Sequence, residues 1–190
     1  MQGLPKNAGV EMQTLTTQRL ELQPIELKHA DRLFELFQDV GLYEFIEREP
    51  PPSQEKYREI VSFWEGRESK DKKRFMYDWI GVDKISNEIV SFIEITIYRE
   101  THFCNLAYYT FQKHQKKGMA KESCRAVIDH LFSDLNVQKV IIEMDILNSA
   151  SVRLAESLGA TRVDFKPKAE TIRGRWSDVY VYELVRNKPQ

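Results

Sequence analysis

One stretch constrains this chain more than any other: Ala107 to Leu135, AYYTFQKHQKKGMAKESCRAVIDHLFSDL. Ala107 to Phe111 is short, aromatic and strand-like. Gln112 to Lys117 is polar and basic. From Gly118 the period changes. Cys124, Val127, Ile128, Leu131 and Leu135 recur at offsets 0, 3, 4, 7 and 11, which is one apolar face of a helix. The stretch therefore reads as strand, tight loop, helix. The first N–H groups of a helix have no internal partner, and the macrodipole adds partial positive charge. Gly118 lacks the Cβ that would hold an anion off the backbone, and Lys113, Lys116 and Lys117 add full charges. The segment is a candidate cradle for a phosphate or pyrophosphate.

Neither of the two general phosphate loops is present, GxxxxGK[ST] or GxGxxG after a strand. A chain of 190 residues is long enough for one domain with a real core. Its 42% hydrophobic and 30% charged residues make it globular rather than disordered. A net charge of −1 argues against a broad nucleic-acid surface. Cys104 and Cys124 have no metal-ligand spacing and read as reduced thiols, Cys124 on the apolar helix face. His29, His102, His114 and His130 share no metal-ligand spacing either, so no metal is expected. There is no apolar run of about 18 residues and no basic-then-apolar leader, so the expectation is a soluble cytoplasmic protein with no membrane span.

Taken in order, Met1 to Gln13 is a polar, flexible leader and Arg186 to Gln190 a tail, leaving residues 14–185 as the domain. Arg19 to Pro24 alternates Leu20 and Leu22 with polar residues, as a half-buried strand does. Leu27 to Val40 places Ala30, Leu33, Phe34 and Phe37 on one helix face. Tyr43 to Pro52 is a loop. A second helix, capped by Ser53, is expected to run to about Lys70 and bury Tyr57, Ile60, Val61 and Trp64. Arg74 to Val82 and Ile89 to Tyr98 form a hairpin, and Phe103 to Phe111 adds a third strand. Val137 to Met144 is a strand after the crossover helix, which is a βαβ unit. Asn148 or Ser149 caps a last helix that Gly159 ends. Thr161 to Glu170, interrupted by Pro167, and Trp176 to Val185 close the chain. The fold class is α/β, mixed α+β: one domain with a mostly antiparallel central sheet flanked by helices.

This order resembles the GNAT acyl-CoA N-acyltransferase fold over about Thr14 to Val185. Gln115-Lys116-Lys117-Gly118-Met119-Ala120 fits that family's Q/R-x-x-G-x-G/A pyrophosphate loop. Thr17-Gln18-Arg19-Leu20, Glu122, Asn148-Ser149-Ala150-Ser151 with Leu158-Gly159-Ala160, and Gly174 with Asp178 and Tyr180 resemble the ribosomal-protein N-alpha-acetyltransferase subgroup. That subgroup often has a glycine where this chain has Lys116. The resemblance implies an acetyl-CoA-dependent transfer of an acetyl group to a primary amine, most simply the α-amino group of a protein or peptide. A small-molecule amine, or a non-catalytic acyl-CoA-binding module, are the alternatives. It implies no resident metal, and a monomer or homodimer.

The resemblance also assigns roles. Backbone groups of Gln115 to Ala120 hold the pyrophosphate, and the strand through Tyr109 and Phe111 pairs with the pantetheine arm, an arrangement that needs the two parallel strands to splay after Phe111. One N–H there polarises the thioester carbonyl. Ser151 protonates the departing thiolate, and Glu170, nineteen residues on, is the base acting through a water. Fitting the intervening helix and strand lengths together requires Pro167 or strand curl to take up a difference. Glu94 is the alternative base: a carboxylate among Phe92, Ile93 and Ile95 either faces a wet groove or is perturbed by burial. Asn148 is either a cofactor ligand or a helix cap. Of Tyr108 and Tyr109, one should face the site and the other the core. Tyr43, Phe45 and Pro50 to Pro52 are expected to line one acceptor wall, and Arg173, Arg175 and Trp176 the other. Positive charge there ranks polyamines and cationic antibiotics below peptide amines.

Overall fold

The computed structural model describes residues 12–64 and 67–186. Residues 1–11 of the leader and 187–190 of the tail lie outside the described residues. The strands are β1 (Leu15–Thr16), β2 (Leu20–Pro24), β3 (Arg67–Glu68), β4 (Arg74–Asp83), β5 (Ile89–Tyr98), β6 (Phe103–Thr110), β7 (Lys139–Asp145), β8 (Thr161–Ile172) and β9 (Arg175–Val185). The α-helices are α1 (Ala30–Leu36), α2 (Gln54–Trp64), α3 (Met119–Ser133) and α4 (Ser149–Ser157). One sheet runs in the order β1-β2-β4-β5-β6-β7-β9-β8, with β3 paired to β4. Among the described residues only β6 and β7 are parallel, as a crossover through α3 requires. Among the described residues no helix is long and apolar enough to cross a membrane.

Each face of the sheet carries a core, while the edge strand β8 stays exposed. Tyr77 and Trp79 of β4, Ile93, Ile95 and Ile97 of β5 and the predicted α3 face (Cys124, Val127, Ile128, Leu131) form one core. Ile80, Phe92, Phe111, Ala30, Leu33, Phe37, Tyr57 and Val61 form the other, under α1 and α2. The strand period of two sends alternate residues to the two cores. It therefore also settles the face of Glu94, which follows Phe92 to the α1–α2 side.

Two helix boundaries differ from the sequence reading. The segment Leu27 to Val40 is a 3-10 turn (Leu27–His29), then α1, then a second 3-10 turn (Val40–Tyr43). The Asp39 carboxylate accepts from Gly41 N–H at 2.9 Å, and the Tyr43 hydroxyl donates to the Phe37 carbonyl at 2.8 Å, so side chains end the first helix and start the next turn. Helix α2 stops at Trp64 rather than near Lys70, because Arg67 and Glu68 pair with Met76 and Phe75 of β4. No apolar residue continues the buried stripe beyond Trp64 as far as Arg74, so nothing holds a longer helix to the sheet.

Strand β8 is irregular around Pro167, as the expected strand curl requires. Register against β9 shifts between Arg162 and Asp164 and again between Lys166 and Glu170. At the second shift Lys168 takes a left-handed φ of 48°, and its N–H bonds to the Asp178 carboxylate at 2.8 Å. The extra residues are absorbed in a bulge, as an edge strand carrying proline permits.

Candidate active site

The site begins where the sheet comes apart. β6 pairs with β7 at only three positions, Phe103 with Lys139, Cys104 with Val140 and Asn105 with Ile141. The splay starts after Asn105, five residues earlier than the strand's end and before the Phe111 expected from sequence. On its other side β6 stays paired with β5 up to Thr110 opposite Ser91. From Leu106 to Thr110 one strand edge is thus open within the sheet. About every second residue there directs its N–H and C=O into the gap.

The open edge leads into the basic loop. Gly118 has φ +78° and is the N-cap of α3. The intrahelical ladder opens with Glu122 N–H on the Gly118 carbonyl at 3.1 Å, so the amides of the preceding turn point outward. A Cβ on Gly118 would meet only the Arg19 guanidinium, at 3.4 Å, which leaves the approach to these amides clear. Lys116 is also left-handed, with φ 58°, the conformation that a glycine adopts without strain. Its place in the loop is therefore that of the subgroup's glycine. Lys113 is held by Glu88, so Lys116 and Lys117 carry the loop's free charge. The Gln115 side chain ties the loop back to β6 by donating to the Thr110 carbonyl at 3.1 Å.

A second network braces the loop from the start of the chain. The Glu122 carboxylate accepts from Thr17 Oγ1 at 2.6 Å, Arg19 N–H at 2.8 Å and Arg19 Nε at 2.6 Å. Arg19 Nη1 donates to the Lys117 carbonyl at 2.9 Å. Burial alone would raise the Glu122 carboxyl, but the bonds from Thr17 and Arg19 outweigh it and hold it below the usual range. Thr17, Arg19 and Glu122 thus act as one unit, which the sequence had shown only as separate pieces of a motif.

The other half of the site lies at the end of β7. Asp145 is fully buried and accepts from Ser177 Oγ at 2.7 Å, Leu147 N–H at 2.7 Å and Arg175 Nη2 at 2.7 Å. Burial raises its carboxyl, and these bonds more than offset that. The Arg175 guanidinium is therefore committed to pinning β9 to β7. Glu170 sits opposite Ser177 in register, exposed on the same hairpin. Its carboxyl is raised, first by partial burial and then by the charges of Asp145, Glu47 and Glu143. Asn148 caps α4 by accepting from Ser151 N–H at 3.0 Å, and the Tyr108 hydroxyl donates to the Ser151 carbonyl at 3.4 Å. Ser151 is half-buried in the first turn of α4.

Across the gap, Tyr109 lies on the α1–α2 face. Its ring meets Phe37 edge-on at 5.3 Å, and Phe37 also contacts Phe92 and Phe111. Each such ring pair adds about 0.5–1.5 kcal/mol beyond its area, so Tyr109 is firmly placed. Phe111 is buried in that cluster, and its N–H is used by the Val90 carbonyl at 3.2 Å. Met119 is buried as well, with Ala120 half-buried beside it. Arg48, which the sequence reading passed over, donates through Nη1 to both Glu94 oxygens at 3.0 Å and 3.2 Å and to the Tyr109 hydroxyl at 3.1 Å. Its only sequence signal is that it is the lone cation in the acidic run Glu44 to Glu49. Tyr43 is buried, with burial pushing its hydroxyl up to about 12, so it supports the wall from behind. Arg173 reaches the Val40 carbonyl at 3.4 Å, which joins the hairpin turn to the loop before α2. Trp176 stands 63% exposed, too far into solvent to be part of either core.

Comparison with known proteins gives this geometry a context. Residues 19–161 match the acetyltransferase (GNAT) domain family. The N-acetyltransferase p20 of Bacillus licheniformis is 25% identical over 188 residues, covering 93% of this chain and 98% of that protein. Spermidine N(1)-acetyltransferase of Vibrio cholerae is 27% identical over 146 residues, covering 69% and 83%. Among solved structures, the ribosomal L7/L12 alpha-N-protein acetyltransferase RimL in complex with coenzyme A superposes with a TM-score of 0.79 at 20% identity, covering 91% of this chain and 98% of that one. A Bacillus anthracis GNAT-family acetyltransferase does so with 0.75 at 21%, covering 92% and 99%. The chain belongs to the acetyltransferase (GNAT) domain family and is an acetyl-CoA-dependent N-acetyltransferase.

Proposed function

We propose that this enzyme acetylates the α-amino group of a peptide or protein N-terminus by direct attack within a ternary complex. The observation that carries the donor half of the reading is the open β6 edge, Leu106 to Thr110, running into the exposed helix-start amides at Gly118. A strand edge can pair with an extended amide-bearing arm, and the helix start with a pyrophosphate, so the residues fit the donor. Acetyl-CoA supplies the acyl group as an activated thioester. The loop amides from Gln115 to Ala120, with Lys116 and Lys117, bind its phosphates, and Gln115 and the Arg19–Glu122 brace keep the loop in shape. Asn148 adds a side-chain contact at the α4 start or serves only as its cap.

Glu170 takes the proton from the incoming amine, directly or through a water. Its raised proton affinity, from partial burial and three neighbouring carboxylates, suits a base better than an ordinary surface glutamate. Ser151 Oγ–H supplies a proton to the departing sulfur. Tyr108 and the Asn148 cap hold the backbone on either side of that serine. Arg173 and Trp176 flank the entrance for the acceptor, and Arg175 holds the hairpin that carries Glu170. Glu94 is less suited to proton transfer because Arg48 already occupies both its oxygens. The same pairing neutralises one carboxylate that a polyamine would use, although a relative is named for that activity.

The test begins with isothermal titration of acetyl-CoA and CoA, with NAD and ATP as controls. Thiol release is then followed with peptides, spermidine and other small amines. Binding of the CoA pair alone and turnover of peptides is the expected result. Turnover of spermidine alone overturns the peptide assignment. CoA binding with no turnover on any amine assigns the fold to a binding module instead.

A further inference from the structure

Arg48 is held in an unusual way. Glu94 and Tyr109 converge on a single nitrogen, Nη1. Among the described residues, Nε and Nη2 have no partner, and the side chain is 54% exposed. The anchors are rigid: Glu94 projects from the middle of β5, and Tyr109 is packed against Phe37 and Phe92. A guanidinium fixed at one nitrogen offers its remaining N–H donors in a planar fork, the arrangement that matches a carboxylate. The fork stands over the α1–α2 face of the sheet at the level of the open β6 stretch, because Tyr109 lies within that stretch.

Carboxylates stand in the same neighbourhood. Glu47, next in sequence to Arg48, lies within electrostatic reach of Glu170. The loop before α2 therefore brings a cation and a carboxylate to the site within two residues. An acceptor carrying an ammonium group and, a short distance away, a carboxylate matches both signs. A simple diamine matches only one.

We propose that Arg48 reads a carboxylate on the acceptor, and that Glu94 and Tyr109 are its positioning residues rather than proton carriers. This rests on the acceptor being a peptide amine, as above, and reaches to the free amino acid, whose α-carboxylate has the same chemistry. The carboxylate comes either from an acidic side chain near a peptide N-terminus or from the α-carboxylate of a free amino acid.

The experiment compares kcat and KM for two peptides that begin serine-aspartate or serine-asparagine, and for free amino acids against their amides. The wild type is expected to favour the charged member by roughly tenfold or more, through KM. Arg48→Gln should bring the ratio within about twofold by raising KM for the charged acceptor, with Arg48→Lys recovering part of it. Glu94→Gln should also erode the ratio, since the fork loses its anchor. If Glu94 is the base instead, that variant lowers kcat on both acceptors alike and leaves the ratio intact. Peptide turnover with no charge preference, or a preference that survives Arg48→Gln, overturns the inference and leaves the peptide reading standing. Turnover of free amino acids with an Arg48-dependent KM, but not of peptides, does the reverse. Turnover only of amines lacking a carboxylate, or no turnover at all, overturns both.

Discussion

The proposed donor side and the proposed acceptor side of this site are built differently. The donor side is one continuous segment, β6, loop and α3, braced by a second short segment from Thr17 to Arg19. Its working groups are backbone amides, which any sequence can supply once the turn has the right shape. In the proposed reading the acceptor side is assembled from separated places: Arg48, Glu94 with Tyr109, and Glu170 on the hairpin, with Ser151 serving the departing sulfur. Its working groups are side chains whose properties depend on one another. A backbone site tolerates drift in most residues and fails abruptly at the few that set its shape. A side-chain site can be altered piece by piece, which lets acceptors diverge while the donor stays the same.

The largest break in this comparison should come from Gly118→Glu. It forces a β-carbon into a left-handed position and sets a negative charge among the loop amides. Titration calorimetry should show CoA affinity reduced by at least about 100-fold, and normal binding would refute the loop assignment. Next, Glu170→Gln should lower kcat on the order of 10² to 10⁴ while CoA affinity stays nearly unchanged. A loss below about threefold would return the base role to Glu94.

Glu122→Gln should act on stability and on the donor side together. Loss of the charged acceptor for Thr17 and Arg19 should cost about 1–3 kcal/mol in denaturant unfolding and weaken CoA binding. The Glu122 carboxyl is lowered in the folded chain, so its contribution is fully present above the ordinary value of about 4.5 and fades as the pH falls through the folded value. The variant's deficit should shrink in that acid range, and a deficit independent of pH would mean that Arg19 packing, not charge, matters. The smallest effect is expected from Lys116→Gly. Relief of left-handed strain favours the folded state by up to about 1 kcal/mol, partly offset by the entropy of glycine in the unfolded chain. Loss of one loop charge should weaken CoA binding a few-fold, most visibly at low salt.

The same contrast explains what the sequence could reveal. Strand, loop and α3 are contiguous, so composition and helical period together located them, and β5 was legible to the residue because Ile89 to Tyr98 is β-branched and aromatic except at Ser91 and Glu94. The short strand β3 was not, because Arg67 and Glu68 carry no strand signal and pair only where β4 offers an edge. Arg48 was invisible for a related reason. Its partners are 46 and 61 residues away, and its own neighbourhood looks like a solvated acidic turn. Arg175 was legible as a cation near the site, but its engagement with Asp145 depends on β7 and β9 lying side by side, a fact of tertiary structure.

The early splay of β6 from β7 has a consequence for the molecule as a mechanical object. Three residue pairs are the whole ladder between a leaf containing β1 to β6 and a leaf containing β7, β9 and β8. The polypeptide leaves the remaining rungs of that seam unfilled, and in the proposed reading the extended donor lying in the gap adds rungs of its own. On that reading the donor is a structural member as well as a reagent. Each tenfold excess of free ligand over its Kd adds about 1.4 kcal/mol to the folded state, so the firmness of this enzyme follows the supply of its substrate.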